Sequence, residues 1–135
     1  MIVVDTNIIA YLLIKGEHTK AAEKALQKDS EWLSPLLWQS EFRNVLSFYV
    51  RQKHLSLDRA VKLMDAAMDL MTNREYDVSS LEVLRLASVS GCSAYDCEFV
   101  ALATDLGISL VTLDKKKLKA FPHHSISLNH YIQKL

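Results

Sequence analysis

Hydrophobic residues along this chain follow two different periods, and the first is that of strands. The β-branched runs at 2–4 and 108–113 have the continuous apolar character of strands buried on both faces of a parallel sheet. Weaker strand candidates lie at 31–34, 75–78 and 125–128. Segments with the spacing of helices separate these runs.

The second period is that of amphipathic helices, with apolar residues three and four positions apart. Helices are predicted at 8–15, 19–28, 56–71, 79–90, 93–106, 115–120 and 129–135, and another follows Ser34-Pro35 with an apolar stripe from Trp38 to Val50. Ser34-Pro35 has the form of an N-cap followed by proline at the first helical position. Gly16, Gly91 and Gly107 each follow a predicted helix end. Strands alternating with helices predict an α/β fold, a single domain over 1–135 with a parallel central sheet flanked by helices.

Composition narrows the class of protein. Half of the 135 residues are hydrophobic, as in a compact domain rather than a disordered chain. Sixteen basic residues balance sixteen acidic ones, so a polyanionic partner would need a local patch or a metal. The two cysteines form neither a disulfide framework nor a zinc motif, which indicates a reducing cytoplasm. No segment approaches the roughly 18 apolar residues that span a bilayer, so no membrane is expected.

Four acidic residues stand at element boundaries rather than on solvated faces. Asp5 and Asp114 end the two best strands, and the carboxyl ends of parallel strands share one edge of a sheet. Asp96 opens a buried helix, and Glu41 lies at the edge of an apolar stripe. The sequence therefore predicts that these carboxylates face one crevice.

Each acid also has a structural explanation. Asp5 and Asp114 could cap the helices that follow them, and Ser93-x-x-Asp96 matches a capping box with aspartate in place of glutamate. Glu41 could be an ordinary glutamate at the rim of a helix. Capping alone, however, gives no reason for four acids to converge on one edge.

Convergence would have an electrostatic consequence. Two carboxylates about 4 Å apart repel by roughly 4 kcal/mol at an effective dielectric constant of ~20. Such a cluster must hold protons or bind a cation. Oxygen ligands without a nearby histidine or cysteine favour Mg²⁺ or Mn²⁺ over zinc.

Four segments carry these acids in order along the chain: Val4-Asp5-Thr6-Asn7, Ser40-Glu41-x-x-Asn44-Val45-Leu46, Ala94-Tyr95-Asp96-Cys97-x-Phe99-Val100-Ala101-Leu102-Ala103 and Leu110-Val111-Thr112-Leu113-Asp114. Together they resemble the acidic motifs of the PIN-domain ribonucleases, above all the VapC toxins of prokaryotic toxin–antitoxin pairs. The resemblance covers the whole chain, as one PIN-like nuclease domain over 1–135, and no acidic position departs from it.

This resemblance implies a site and a function. Asp5, Glu41, Asp96 and Asp114 would be the catalytic acids and would bind Mg²⁺ or Mn²⁺, and the supporting residues would be Thr6, Asn7, Asn44 and Thr112. It implies an endoribonuclease that leaves a 5′-phosphate and a 3′-hydroxyl. It also implies a homodimer and an inhibitory antitoxin whose tail lies near the acids.

A run of basic residues directly follows the last acid: Lys115, Lys116, Lys117 and Lys119. These lysines could hold RNA phosphates beside the metal, or they could form a solvated helix face.

Other functions are open on the residues alone. A PIN-like module could bind RNA or a protein without cutting it. Haloacid-dehalogenase phosphatases have a second aspartate two residues after the first, where this chain has Asn7. Response-regulator receivers need an acidic pair around the first strand and a lysine after the last strand, and this chain does not clearly supply them.

Overall fold

Five short parallel strands form the centre of the protein. A computed structural model describes residues 1–135. The strands are β1 (Ile2–Val4), β2 (Trp32–Pro35), β3 (Glu75–Tyr76), β4 (Leu110–Thr112) and β5 (Ser125–Ser127). Their order across the sheet is β3-β2-β1-β4-β5, and every neighbouring pair is parallel. β1 is therefore the central strand, and all five carboxyl ends lie at one edge.

Eight helices surround this sheet: α1 (Thr6–Leu13), α2 (Thr19–Lys28), α3 (Trp38–Arg51), α4 (Leu57–Leu70), α5 (Ser80–Ser90), α6 (Ala94–Leu106), α7 (Lys115–Ala120) and α8 (Leu128–Gln133). None of them is long and apolar enough to cross a membrane.

Alternate side chains of β1 pack into two separate cores. Ile2 and Val4 join a cluster with residues of α1, α3, α4 and α8, whereas Val3 joins a cluster with residues of α5 and α6. This division follows from the two-residue period of a strand, which sends successive side chains to opposite faces. Helices thus cover both faces of the sheet, and the predicted α/β fold with a parallel central sheet is confirmed.

The interpretation of Ser34-Pro35 as a helix start is wrong. Both residues belong to β2, where the Ser34 hydroxyl donates to the carbonyl of Val4 at 2.7 Å and Pro35 lies opposite Tyr76. Helix α3 begins three residues later, at Trp38. The local sequence suits a helix cap, but pairing with the strands on both sides keeps this segment extended.

The predicted helix ends are correct at two of the three glycines. Gly91 and Gly107 follow α5 and α6 with φ of +74° and +66°, the left-handed conformation that glycine adopts without strain. Gly16 has no such conformation, because α1 ends at Leu13 and its C-cap is Ile14, which is extended and donates its N–H to the carbonyl of Ala10. The bounds predicted for α2 and α7 agree with the structure.

Candidate active site

The four predicted acids line one open cleft at the carboxyl edge of the sheet. The cleft has a volume of about 510 Å³ and includes Asp5, Glu41, Asp96 and Asp114 in its lining. Asp5 follows β1, Asp114 follows β4, and the other two lie in the first turns of α3 and α6. Four elements that are far apart in sequence thus bring carboxylates to one place.

Asp5 is the most enclosed of these acids, with only 3% of its surface exposed. Its Oδ1 accepts from the backbone N–H of Thr6 at 2.9 Å, and its Oδ2 accepts from the Thr112 hydroxyl at 2.7 Å and from Lys117 Nζ at 2.8 Å. A buried carboxylate is stable only when such donors satisfy it. These bonds fix the orientation of the Asp5 side chain at the base of the cleft.

The structure shows both helix capping at these acids and their convergence on one cleft. Asp5 is the N-cap of α1, and Asp114 is the N-cap of α7, where its Oδ1 accepts from the backbone N–H of Lys116 at 2.8 Å. The Ser93 hydroxyl caps α6 by accepting from the backbone N–H of Asp96 at 3.1 Å. Capping therefore orients the starts of three helices and leaves part of each carboxylate facing the cleft.

Glu41 lies half-buried on α3 opposite the start of α1. Its Oε1 accepts from the Thr6 hydroxyl at 2.6 Å. Burial raises the pKa of Glu41 above its usual range, and the nearby charge of Asp5 adds to this effect, although the Thr6 hydrogen bond opposes it. The carboxyl group of Glu41 consequently favours a proton or a cation more than an exposed glutamate does.

The structure separates Lys117 from the other three lysines of α7. Lys115, Lys116 and Lys119 are exposed, but Lys117 is buried and its Nζ lies 2.8, 3.6 and 3.9 Å from carboxylate oxygens of Asp5, Asp96 and Asp114. The expectation that Lys117 shares the basic surface with its neighbours is therefore wrong. Its position three residues after Asp114 instead turns its side chain back into the acidic cleft.

Opposing effects determine the protonation of this lysine. Burial alone lowers the pKa of Lys117, but attraction and a hydrogen bond from Asp5, with further attraction from Asp96 and Glu41, raise it above its usual value overall. The surrounding carboxylates therefore stabilise the ammonium form of this side chain. Its contact with the Phe99 ring, 4.8 Å from the ring centroid, adds a cation–π interaction.

The two predicted asparagines lie at the rim of the cleft. Asn7 and Asn44 contribute to its lining, both are exposed, and neither side chain hydrogen-bonds to one of the acids. The predicted hydroxyls behave differently, because Thr6 and Thr112 each donate to an acid. The cleft also includes five residues that are not predicted as site residues from the sequence: Leu37, Ser40, Val45, Ser93 and Tyr95.

The donor chemistry of the cleft fits a hard divalent cation. Its acidic ligands are all carboxylate oxygens, without histidine or cysteine, which is the set that Mg²⁺ and Mn²⁺ prefer. As the side chains stand, no three acids close around a common point suited to a metal ion. The ammonium of Lys117 lies among three of them instead and acts as a stand-in cation. Asp5, Glu41, Asp96 and Asp114 are the residues that could hold a metal.

Comparison with known proteins identifies relatives over nearly the whole chain. The PIN domain family model matches residues 2–123. The chain is 31% identical to a protein named ribonuclease VapC3 from Pyrobaculum aerophilum, over 90% of this chain and 95% of that protein.

Two solved structures share the fold. PAE2754 from Pyrobaculum aerophilum superposes with a TM-score of 0.78 at 20% identity, over 98% of this chain and 93% of that one. FitAcB from Neisseria gonorrhoeae superposes with a TM-score of 0.72 at 17% identity, over 96% of this chain and 99% of that one. The acidic cleft, the parallel sheet and the family match agree, and the chain belongs to the PIN-domain family.

Proposed function

We propose that this chain is a Mg²⁺- or Mn²⁺-dependent endoribonuclease, built as one PIN-like domain over 1–135, and the toxin of a toxin–antitoxin pair. The observation that carries the proposal is the convergence of four carboxylates in a cleft open to solvent. The relative that is 31% identical to this chain is named a ribonuclease, which supports RNA as the substrate.

The chain's own residues prepare the site for a cation. Asp5 is oriented by the hydroxyl of Thr112 and the N–H of Thr6, and the Thr6 hydroxyl orients Glu41. With Asp96 and Asp114, these acids would hold Mg²⁺ or Mn²⁺. A divalent cation in such a site activates a water and neutralises charge that develops on the phosphate. Attack of this water on phosphorus would break the bond to O3′, with a proton from the water passing to O3′, and would leave a 5′-phosphate and a 3′-hydroxyl.

The exposed lysines of α7 are suited to holding the RNA backbone. Lys115, Lys116 and Lys119 project from a helix whose N-cap, Asp114, lines the cleft. Lysines bind phosphates without regard to base sequence, so they would position RNA rather than select a cleavage site.

Cleavage of a pooled RNA preparation by the purified, partner-free chain tests the enzyme. We expect cutting with Mg²⁺ or Mn²⁺, none with EDTA, and products that carry 5′-phosphates. Asp96→Asn should lower the rate by about 100-fold or more, since losing even an outer partner of a metal ligand costs 10–100-fold. Asp105→Asn is the matched control, because Asp105 lies exposed on the same helix outside the cleft. Cutting in EDTA, or full activity of Asp96→Asn, would refute the proposal.

An apolar groove between α3 and α4 offers the antitoxin a docking surface. It has a volume of about 430 Å³, and its apolar lining is Leu46, Val50, Leu57, Ala60, Val61 and Met64. Arg43 and Arg51 lie at its α3 side, so an apolar antitoxin segment with acidic neighbours would match it. Helix α3 also carries Glu41. An antitoxin segment bound in the groove would therefore contact the helix that carries one of the site acids.

A charge placed in this groove tests the docking. Val61→Glu introduces a carboxylate at an exposed groove position, and we expect it to relieve inhibition by the antitoxin without reducing RNA cleavage. Lys62→Ala is the control, because it changes the net charge equally at an exposed neighbour that does not line the groove. If the antitoxin inhibits Val61→Glu as strongly as it inhibits the native chain, then it does not bind in this groove.

We also propose a cytoplasmic homodimer. Both cysteines are free thiols, as is expected in a reducing compartment. Three large apolar side chains of α5 are strongly exposed, namely Leu81 at 78%, Leu84 at 64% and Val89 at 74%, and a second copy could cover them. Light scattering should give twice the chain mass, and Leu84→Glu should give the mass of one chain.

The alternative is a PIN-like module that binds RNA or a protein without cutting. The ion pairs of Lys117 favour it, because an ammonium can neutralise part of the acidic cluster without any metal. RNA binding without cleavage, in a protein that takes up no divalent ion, would support this function.

A further inference from the structure

A buried lysine ammonium lies inside the cleft, where a simple four-acid metal site has no need of one. The side chain of Lys117 is only 4% exposed. Its Nζ contacts Asp5 directly and lies within 3.6 Å of Asp96 Oδ1 and 3.9 Å of Asp114 Oδ2. Three of the four acids thus share one fixed cation supplied by the chain itself.

The fold gives this lysine little freedom to leave. It lies in the first turn of α7, one turn after Asp114, whose Oδ1 caps that helix. The Phe99 ring of α6 covers the ammonium at 4.8 Å from its centroid. Moving Nζ to solvent would leave the buried carboxylate of Asp5 without one of its donors, which is costly.

We propose that Lys117 occupies the place of a second cation, so that the acidic cleft binds one divalent ion per chain. This inference rests on the proposed metal-dependent function. It assigns Lys117 as a positioning residue that is part of the site, and it removes this residue from the group of lysines proposed to hold RNA.

The hydrogen bonds that the acids already accept support a single binding site for a divalent ion. Asp5 Oδ2 already accepts from both Thr112 and Lys117, so it has little capacity left for a metal. Glu41 Oε2 and Asp96 Oδ2 accept no hydrogen bond. These two oxygens, on α3 and α6, are therefore free to bind a divalent ion.

The net charge of the cleft also favours one bound divalent ion. Four ionised carboxylates and one ammonium carry three net negative charges, and one divalent ion reduces these to one. A second divalent ion would make the cluster net positive and would lie close to the ammonium, where like charges repel strongly in a partly buried site. With the lysine replaced by a neutral residue, that repulsion disappears and a second ion has room and ligands.

Calorimetric titration of the purified, partner-free chain with Mn²⁺ tests this directly. We expect one ion per chain for the native protein and for Lys116→Met, whose side chain is exposed. We expect two for Lys117→Met, which keeps the length of the side chain but removes its charge. Lys117→Gln serves as a second variant if the methionine variant does not fold.

The outcomes separate this inference from the proposed function. Two ions bound by the native protein would overturn the inference and leave the metal-dependent nuclease intact. One ion bound by a folded Lys117 variant would also overturn it, because the lysine would then not set the number. No Mn²⁺ bound by any of these proteins would refute the proposed metal dependence itself.

Discussion

Thr112 donates its hydroxyl hydrogen to Asp5 Oδ2 across 2.7 Å, and this bond joins the end of β4 to the end of β1. The same hydroxyl oxygen accepts from the backbone N–H of Asp114 at 3.0 Å. Thr112 is fully buried, and it therefore links two acids from opposite ends of the sequence through one side chain.

Replacing this hydroxyl should weaken the fold measurably. Thr112→Val keeps the shape of the side chain but removes one donor to Asp5 and the acceptor of the Asp114 N–H. We expect the free energy of unfolding to fall by about 1–3 kcal/mol, the usual cost of unsatisfied buried polar groups. Thr112→Ser keeps the hydroxyl and should lose less. Urea unfolding in EDTA measures all three proteins, and equal stability of Thr112→Val and the native chain would contradict the role of this bond.

The raised pKa of Glu41 predicts a pH-dependent stability of the metal-free protein. Because burial raises its folded-state pKa, the folded protein holds this proton more tightly than the unfolded chain does. That stabilising effect is full below the ordinary glutamate pKa of about 4.3 and is lost as pH rises through the folded-state pKa. The melting temperature of Glu41→Gln should therefore rise relative to that of the native chain as the pH increases. Melting curves in EDTA that stay parallel across this pH range would contradict the prediction.

The exposed lysines of α7 should contribute to RNA affinity in a salt-dependent manner. Alanine at Lys115, Lys116 and Lys119 together, in an Asp96→Asn background, removes three positive charges that could each neutralise one phosphate. The slope of log affinity against log salt should become less negative by about 0.7 for each single-strand phosphate that is no longer neutralised, or about 2 in all. Fluorescence anisotropy at several salt concentrations gives this slope.

The control for this experiment removes the same charge elsewhere. Lys20, Lys24 and Lys62 are exposed on α2 and α4, and their replacement by alanine should leave the slope unchanged. If both triple variants change the slope equally, the effect comes from net charge and not from phosphate binding at α7.

The left-handed conformation of Gly107 predicts a local cost for any side chain. Gly107→Ala should lower the free energy of unfolding by about 1–2 kcal/mol, because a Cβ clashes with the backbone at a φ of +66°. Gly16→Ala should have little effect, since Gly16 lacks a positive φ. Because Gly107 follows the end of α6 and Asp96 lies near its start, Mn²⁺ binding should be unchanged in both variants. Equal stabilities would contradict the conformational argument.

The parts of the fold that can be predicted are those whose residues are determined locally. β1 and β4 are buried on both faces, so their β-branched runs are continuous and easily recognised. The segment at Ser34-Pro35 is predicted wrongly because its local cue is that of a helix cap. Only the neighbouring strands β1 and β3, which are remote in sequence, show that it is extended.

The same distinction applies to the site. Asp5 and Asp114 can be selected because each directly follows a strong strand, and parallel strands place such residues at one edge. Lys117 cannot be distinguished within its run of lysines, because all carry the same charge and only the fold decides which one turns inward. Its spacing of three residues from Asp114 is the one available signal. Asn7 and Asn44 are predicted as supporting residues but lie exposed at the rim of the cleft. The sequence does not distinguish an amide that only lines the cleft from one that hydrogen-bonds to an acid.

The central place of β1 affects how the protein is made. The ribosome produces β1 well before its sheet neighbour β4 and the helix that carries Lys117. Until these two are made, Asp5 has neither the Thr112 hydroxyl nor the Lys117 ammonium, and the carboxylate of Asp114 is not beside it. The acidic cleft is therefore completed only after α7 has been made and has packed against β1.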